Sequence, residues 1–272
     1  MSVVPFPLTV ARSRTTSPRR ATARSVALAA SAWVLFTGPA VMPAHAAPPG
    51  DYRVKGVDTS HYNHPGSKAI DWRQVRRAGY AFMYAKATEG TTHQDDWLAA
   101  DLRGAEAAGV VRGAYHFYGT TPGKDQARNF VATVKEAGYT GKAPGELPPA
   151  IDLELGSGGT CPNNFSTAGL RAFLRTLDAE MKVAPVVYTT AQFVDTCMGG
   201  DGALFTDHML WQPRYRSGIE PEAVPGAGSR WKIWQHSEQG NVPGIESKGR
   251  TDLNVFRGTL AELKRRAHLP AG

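Results

Sequence analysis

The segment PPAIDLELGSGG, Pro148 to Gly159, sets two acids in an apolar run and then dissolves into glycine and serine. Side chains alternate along a strand, so Asp152 and Glu154 share one face with Cα atoms about 6.6 Å apart. Ile151, Leu153 and Leu155 take the other face. Two unpaired carboxylates in an apolar core would carry a large desolvation penalty. The pair is therefore expected outside the core, at the rim of a sheet. In a β/α barrel that rim is the C-terminal mouth, where active sites lie, and the glycine-rich loop after Leu155 marks that end. Neighbouring carboxylates also do not ionise independently: one is kept protonated beside a charged partner. That combination is what glycoside cleavage uses, although any half-exposed strand can carry the same spacing.

Outward from this segment, eight runs rich in Val, Ile, Tyr and Trp recur: Val54–Ser60, Tyr80–Thr88, Val111–Tyr118, Pro149–Leu155, Pro185–Thr190, His208–Tyr215, Trp231–Ser237 and Thr251–Phe256. The interior runs are nearly continuously apolar, which suits parallel strands covered on both faces. Helical patterns separate the early runs. Asp71 opens one with Trp72 and Val75 on a face, Asp96–Ala108 is alanine-rich, and Thr121-Pro122 reads as an N-cap before a first-turn proline. Ser166 caps another, aligning Leu170, Phe173, Leu174, Leu177 and Met181. Gly79, Gly109 and Gly138 sit where helices should stop. Connections after Tyr188 are short and irregular. The pattern predicts an α/β fold, a modified (β/α)8-type barrel with an irregular second half; an open doubly wound sheet is the competing architecture.

The first 46 residues stand apart. They hold five arginines and no acid, then an apolar run from Val26 to Met42, then Ala44-His45-Ala46. This is the order of a secretory signal peptide, with cleavage expected after Ala46; the arginine pair Arg19-Arg20 leaves a twin-arginine route open beside the general one, and a retained membrane anchor is the alternative. Residues 47–272 are then one catalytic domain. The net charge of +7 comes from 31 basic and 24 acidic residues, so removing five arginines leaves +2. A nucleic-acid-binding reading loses its basis. Cys161 and Cys197 are the two cysteines of the chain. In an exported protein such a pair reads as a disulfide, with two free buried thiols as the alternative.

Further acids fall at strand ends. Asp58 ends the first run and Asp252 begins the eighth, and strands one and eight are neighbours in a closed barrel. Four acids would then meet at one mouth. Tyr62, Tyr115, His116, Tyr118, Tyr188, Trp211, Trp234 and Gln235 also lie near strand ends. Flat apolar platforms with a few directed polar groups suit a sugar-binding groove.

Taken in order, GVDTSHYN, IDW, YAFMYAKATEGTTHQD, GVVRGAYHFY, PPAIDLEL, LWQPRY, WKIWQHS and TDLNVF resemble a glycoside hydrolase family 25 lysozyme of the Chalaropsis type, over about Val54 to Phe256. The resemblance implies a 1,4-β-N-acetylmuramidase acting on bacterial peptidoglycan with retention, and the leader makes a secreted enzyme the expectation. It implies Glu154 as general acid/base, Asp152 as its assistant, and Asp58 and Asp252 as the rest of the acidic cluster. Tyr62, Lys86, Glu89, Tyr115, His116, Tyr188, Trp211 and Gln235 form the expected substrate-binding set. The nucleophile is either a carboxylate or, as favoured here, the substrate's own acetamide oxygen. No cofactor and no metal are implied, and a monomer is expected.

A chitinase-like hydrolase is the nearest rival, but Leu147-Pro148-Pro149-Ala150 stands where its longer acidic run would be. A catalytically dead wall-binding lectin on the same barrel would not need all four acids. No G-x-S-x-G and no H-E-x-x-H occurs, and neither a P-loop nor a dinucleotide fingerprint is present. His61 and His64 lie on a proline-containing loop and are read as groove or surface residues.

Overall fold

The computed structural model describes residues 47–271 apart from 121, 216–218 and 228–230. The expected leader, its cleavage site and the Thr121 cap lie outside the described residues. In chain order the elements are β1 (Val54–Thr59), α1 (Trp72–Arg77), β2 (Tyr80–Glu89), β3 (His93–Gln94), α2 (Leu98–Ala107), β4 (Val111–Phe117), α3 (Gly123–Glu136), β5 (Ala150–Asp152), α4 (Thr167–Met181), β6 (Val186–Tyr188), α5 (Ala191–Met198), β7 (Leu210–Pro213), β8 (Ile233–Gly240), β9 (Thr251–Phe256) and α6 (Leu260–Arg266). The strands run in the order β1-β9-β8-β7-β6-β5-β4-β2, and β2 pairs back with β1. The result is a closed eight-stranded barrel, with β3 added to β2 as a two-residue antiparallel ribbon.

One strand departs from the all-parallel expectation. β9 runs antiparallel to both β1 and β8. The cause is the length of the preceding link. A parallel crossover needs a dozen or more residues, usually a helix, and the segment 241–250 between β8 and β9 contains no helix. The reversal decides the site, because it brings the start of β9 beside the end of β1, with Asp58 opposite Asp252.

Alternation divides the apolar residues into two cores. Ile151, Leu153, Val187 and Met83 point outward and pack against Phe130, Phe173 and Leu177 of the helical layer. Val54, Phe82, Tyr84, Val111, Ala150, Val186, Trp211, Ile233 and Phe256 fill the barrel interior, and Leu263 of α6 with Ala267 beyond it close the end opposite the acids. Interior rings demand small neighbours. A Cβ on Gly56 would lie 2.4 Å from the Phe82 ring, and one on Gly113 would lie 2.3 Å from that of Tyr84.

Helix termini follow local chemistry. Asp71 accepts from the Gln74 amide and Ser166 from the Gly169 amide, as N-caps do. α3 differs from expectation: Pro122 itself is the N-cap and the helix begins at Gly123. A Cβ on Gly123 would come within 2.1 Å of the Gly169 carbonyl oxygen, so the close approach of α3 to α4 requires glycine there. Cys161 and Cys197 form a disulfide, Cα atoms 5.6 Å apart, tying the loop after β5 to α5. Among the described residues no helix is long and apolar enough to cross a membrane.

Candidate active site

Seven of the eight inward rows of the barrel end in a polar group at one mouth, and β7 brings Trp211 there. On β1 the row is Val54, Gly56, Asp58; on β2 it is Phe82, Tyr84, Lys86; on β4 it is Val111, Gly113, Tyr115. Ala150 leads to Asp152 on β5, Val186 to Tyr188 on β6, and Ile233 to Gln235 on β8. On the reversed β9 the row reads backward, from Phe256 through Asn254 to Asp252. These ends, with Glu154, Tyr62, Trp211 and Tyr215, line a cavity of about 290 Å³. A second cavity of about 420 Å³ adjoins it, lined by Glu89, His93, Tyr118, Leu155 and Pro162. Glu154 and Phe117 line both, so Glu154 stands at their junction.

The floor of the cavity is a hydrogen-bonded chain. The Trp211 indole donates to Asn254 Oδ1 at 2.8 Å, and Asn254 Nδ2 donates to Asp58 Oδ2 at 2.7 Å. Gln235 Nε2 donates to the same Asp58 oxygen at 3.0 Å. The Gln235 carbonyl in turn accepts from the hydroxyls of Tyr188 and Tyr215 at 2.8 and 2.7 Å. Two phenols thus fix the amide so that its NH2 faces Asp58. Lys86 pairs with Glu89 at 2.6 Å and lies 5.0 Å over the Phe117 ring.

The acids are more enclosed than a rim position suggests. Asp58 is 5% and Asp152 9% exposed, whereas Glu154 and Asp252 are half-buried. Here the structure corrects the expectation that these groups escape burial: they form the floor of the mouth. Burial raises all four pKa values. Asp152 is pushed well up, by burial first and then by the charges of Glu154 and Asp58. Glu154 is raised by burial, with the nearby Tyr188 hydroxyl acting against the rise and the Asp58 charge adding to it. Asp252 is pushed up to about 9 by burial and by Asp58. Burial also raises Asp58, but hydrogen bonds from Asn254, Gln235 and Asp252 work against it. The pattern makes Asp58 the acceptor and Asp252 the proton holder of their pair.

Two predicted residues are not brought to the cavity. His116 follows Tyr115 on β4, so its ring points to the opposite side. It is fully buried, within 2.7 Å of Thr88 Oγ1 and 3.0 Å of Gln126 Oε1, against Phe173. Burial lowers its pKa to about 4, which keeps it neutral. Trp234 precedes Gln235 on β8 and likewise turns away, packing on Trp231 and Tyr52 and donating to the Arg214 carbonyl. Glu89 and Tyr118 face the second cavity. Asn254 and Tyr215 were absent from the predicted set. Asn254 lies two residues from Asp252, the same spacing that marked Asp152 and Glu154, and that signal could have found it.

The turn after β1 is held from below. The Asp101 carboxylate, 2% exposed, accepts from Thr59 Oγ1 at 3.1 Å and the Trp72 indole at 3.3 Å, and meets His64 Nε2 at 3.1 Å. The His64 ring stacks on Trp97 at 3.9 Å. His64 is therefore a structural anchor of the turn that presents Tyr62, which is 79% exposed.

A β/α barrel with clustered carboxylates and aromatic walls at one mouth is the architecture of a barrel glycoside hydrolase. Residues 57–245 match the family model described as glycosyl hydrolases family 25. The chain is 34% identical over 216 residues to lysozyme M1 of Streptomyces globisporus, covering 77% of this chain and 70% of that protein. It is 28% identical to the N,O-diacetylmuramidase of Chalaropsis sp, covering 79% and 99%. The bacterial lysozyme structure from Streptomyces coelicolor superposes with a TM-score of 0.69 at 32% identity, covering 79% of this chain and 96% of that one. The chain belongs to glycosyl hydrolases family 25, and it is a glycoside hydrolase.

Proposed function

We propose that this chain is a secreted lysozyme that hydrolyses the β-1,4 bond between N-acetylmuramic acid and N-acetylglucosamine in bacterial peptidoglycan. The observation that carries the reading is the position of Glu154, a half-buried carboxyl with a raised pKa at the junction of two cavities. A glycan laid across both would bring its scissile oxygen over that carboxyl. Glu154 donates its proton to the leaving oxygen as general acid. The substrate's acetamide oxygen closes on the anomeric carbon as the C–O bond breaks, giving an oxazolinium ion. Asp152, whose Oδ1 has no hydrogen-bond partner among the protein side chains around it, accepts from the acetamide N–H and offsets the positive charge. Glu154, now a carboxylate, takes a proton from the water that attacks the same carbon, so configuration is retained. Asp58 and Asp252 hold the charge and shape of the floor. Tyr62, Trp211 and Tyr215 offer sugar-stacking or hydroxyl contacts, and Tyr115, Tyr188, Gln235 and Lys86 supply directed polar groups.

On this reading residues 1–46 are removed on export, and the product acts as a monomer. Digestion of purified peptidoglycan, followed by borohydride reduction and mass spectrometry, tests the bond assignment. Reduced muramic acid at the new ends is the expected product. Reduced glucosamine ends would make the enzyme a glucosaminidase and overturn the proposal.

A further inference from the structure

Beside the groove, two imidazoles and a carboxylate converge from separate elements. His61 opens the short turn after β1, His93 begins β3, and Asp95 follows it. One ring nitrogen of each histidine and one Asp95 oxygen all lie within 4.8 Å of one another. From these residues we infer that the rim of the groove carries a binding site for one divalent transition-metal ion of the zinc class.

Three features support the site. The first is the donor set. Two imidazoles with one carboxylate suit zinc, cobalt, nickel or copper, whereas calcium and magnesium take oxygen ligands. The second is the orientation of the carboxylate. Asp95 Oδ2 accepts from the His61 amide at 2.9 Å and Oδ1 from the Trp97 amide at 3.0 Å, so the main chain fixes the group as outer partners do around metal ligands. The third is charge. The Asp95 side chain is 1% exposed, and its ion-pair partner among the described residues is a histidine, His61 Nδ1 at 3.2 Å, with no lysine or arginine. A bound cation would neutralise a buried carboxylate whose one ion-pair partner among the described residues is an imidazole.

The geometry needs a small closure. Donors around a tetrahedral zinc lie roughly 3.4 Å apart, given bonds of about 2.0–2.1 Å. His93 is exposed on a two-residue strand and can turn inward to supply it. Three protein ligands leave a fourth position for water. The ion would clamp the β1 turn to the β2–β3 ribbon. The His61 and Tyr62 rings pack at a tilt with centroids 4.0 Å apart, Tyr62 lines one cavity and His93 the other. Metal binding would therefore hold Tyr62 in place across the rim.

The test is calorimetric titration of the untagged secreted form, stripped with chelator, with zinc chloride and separately with calcium chloride. The parent is expected to bind one zinc ion per chain, to gain thermal stability with zinc, and to bind calcium far more weakly. His93→Ala should weaken zinc binding by at least about tenfold and keep the parent's melting temperature in chelator, since its side chain is exposed. His61→Gln should lose binding likewise. Absence of zinc binding by the parent, undiminished binding by both variants, or equal affinity for calcium would each overturn the site. None of these readouts uses hydrolysis, so the result is separate from the assignment of Glu154.

Discussion

Asn254, absent from the predicted set, ties the Trp211 indole to the Asp58 carboxylate. Its amide spans Trp211 and Asp58, and replacing it with alanine leaves an indole and a buried carboxylate each short of a partner. A hydrogen bond to a charged group contributes about 1.5–3 kcal/mol and a neutral one about 1. Asn254→Ala is expected to destabilise by about 2–4 kcal/mol, read as a lower urea midpoint with unchanged slope, and to lower turnover. Tyr62 should behave in the opposite way. At 79% exposure its loss should leave stability within about 0.5 kcal/mol. The Michaelis constant for glycan fragments should rise roughly fivefold, the loss of about 1 kcal/mol of stacking. A fall in turnover with an unchanged Michaelis constant would remove Tyr62 from the groove. At this scale the inward acids were legible because spacing by two on a strand is a direct readout of side. Naming Tyr115 with His116, and Gln235 with Trp234, broke that same rule, since adjacent residues face opposite ways. Tyr215 gave no such signal, because only the fold brings its hydroxyl to Gln235.

At the scale of elements, strand position was readable and strand direction was not. Asp252 at the start of a parallel eighth strand would lie at the far end of the barrel from Asp58. The reversal of β9 is what pairs them, and only the short helix-free link before it hinted at that. The irregular second half shows the same feature: among the described residues no helix separates β7 from β8 or β8 from β9. The disulfide is the staple of this region, joining two segments 36 residues apart in sequence. Replacing both cysteines with serine should cost about 3–4 kcal/mol in the chain-entropy model. That corresponds to a melting temperature lower by roughly 10 °C for a domain of this size, measured by calorimetry. A change under a degree would mean that the loop after β5 is held by its packing alone.

For the whole molecule, the clustered acids set how stability depends on pH. A carboxyl whose folded pKa is raised stabilises the fold fully below its unfolded value, near 4. That contribution is lost as pH rises through the folded value, because the folded state must then ionise a group the unfolded state ionises freely. Asp58, Asp152, Glu154 and Asp252 are all raised, Asp252 to about 9. His64 acts in the same sense: burial alone would lower its pKa, but Asp101 holds it above the ordinary value. His116, lowered to about 4 by burial, opposes them only below about pH 6.5. Unfolding free energy should therefore decline from pH 6.5 to 9, and the decline should be shallower in Asp252→Asn. Stability that rises over this range would contradict the ionisation scheme. That scheme was only half legible in the sequence: four acids at a mouth could be read, but not the depth at which each one sits.

In the proposed mechanism Glu154 passes the proton that breaks the glycosidic bond. The most direct measurement is the rate of peptidoglycan hydrolysis by Glu154→Gln beside the parent, with melting temperature and wall binding recorded on both. General acid–base catalysis contributes about 10²–10⁴-fold. Turnover in Glu154→Gln should fall by a factor in that range with fold and binding retained. A variant that keeps binding and hydrolyses within a few-fold of the parent would contradict this mechanism.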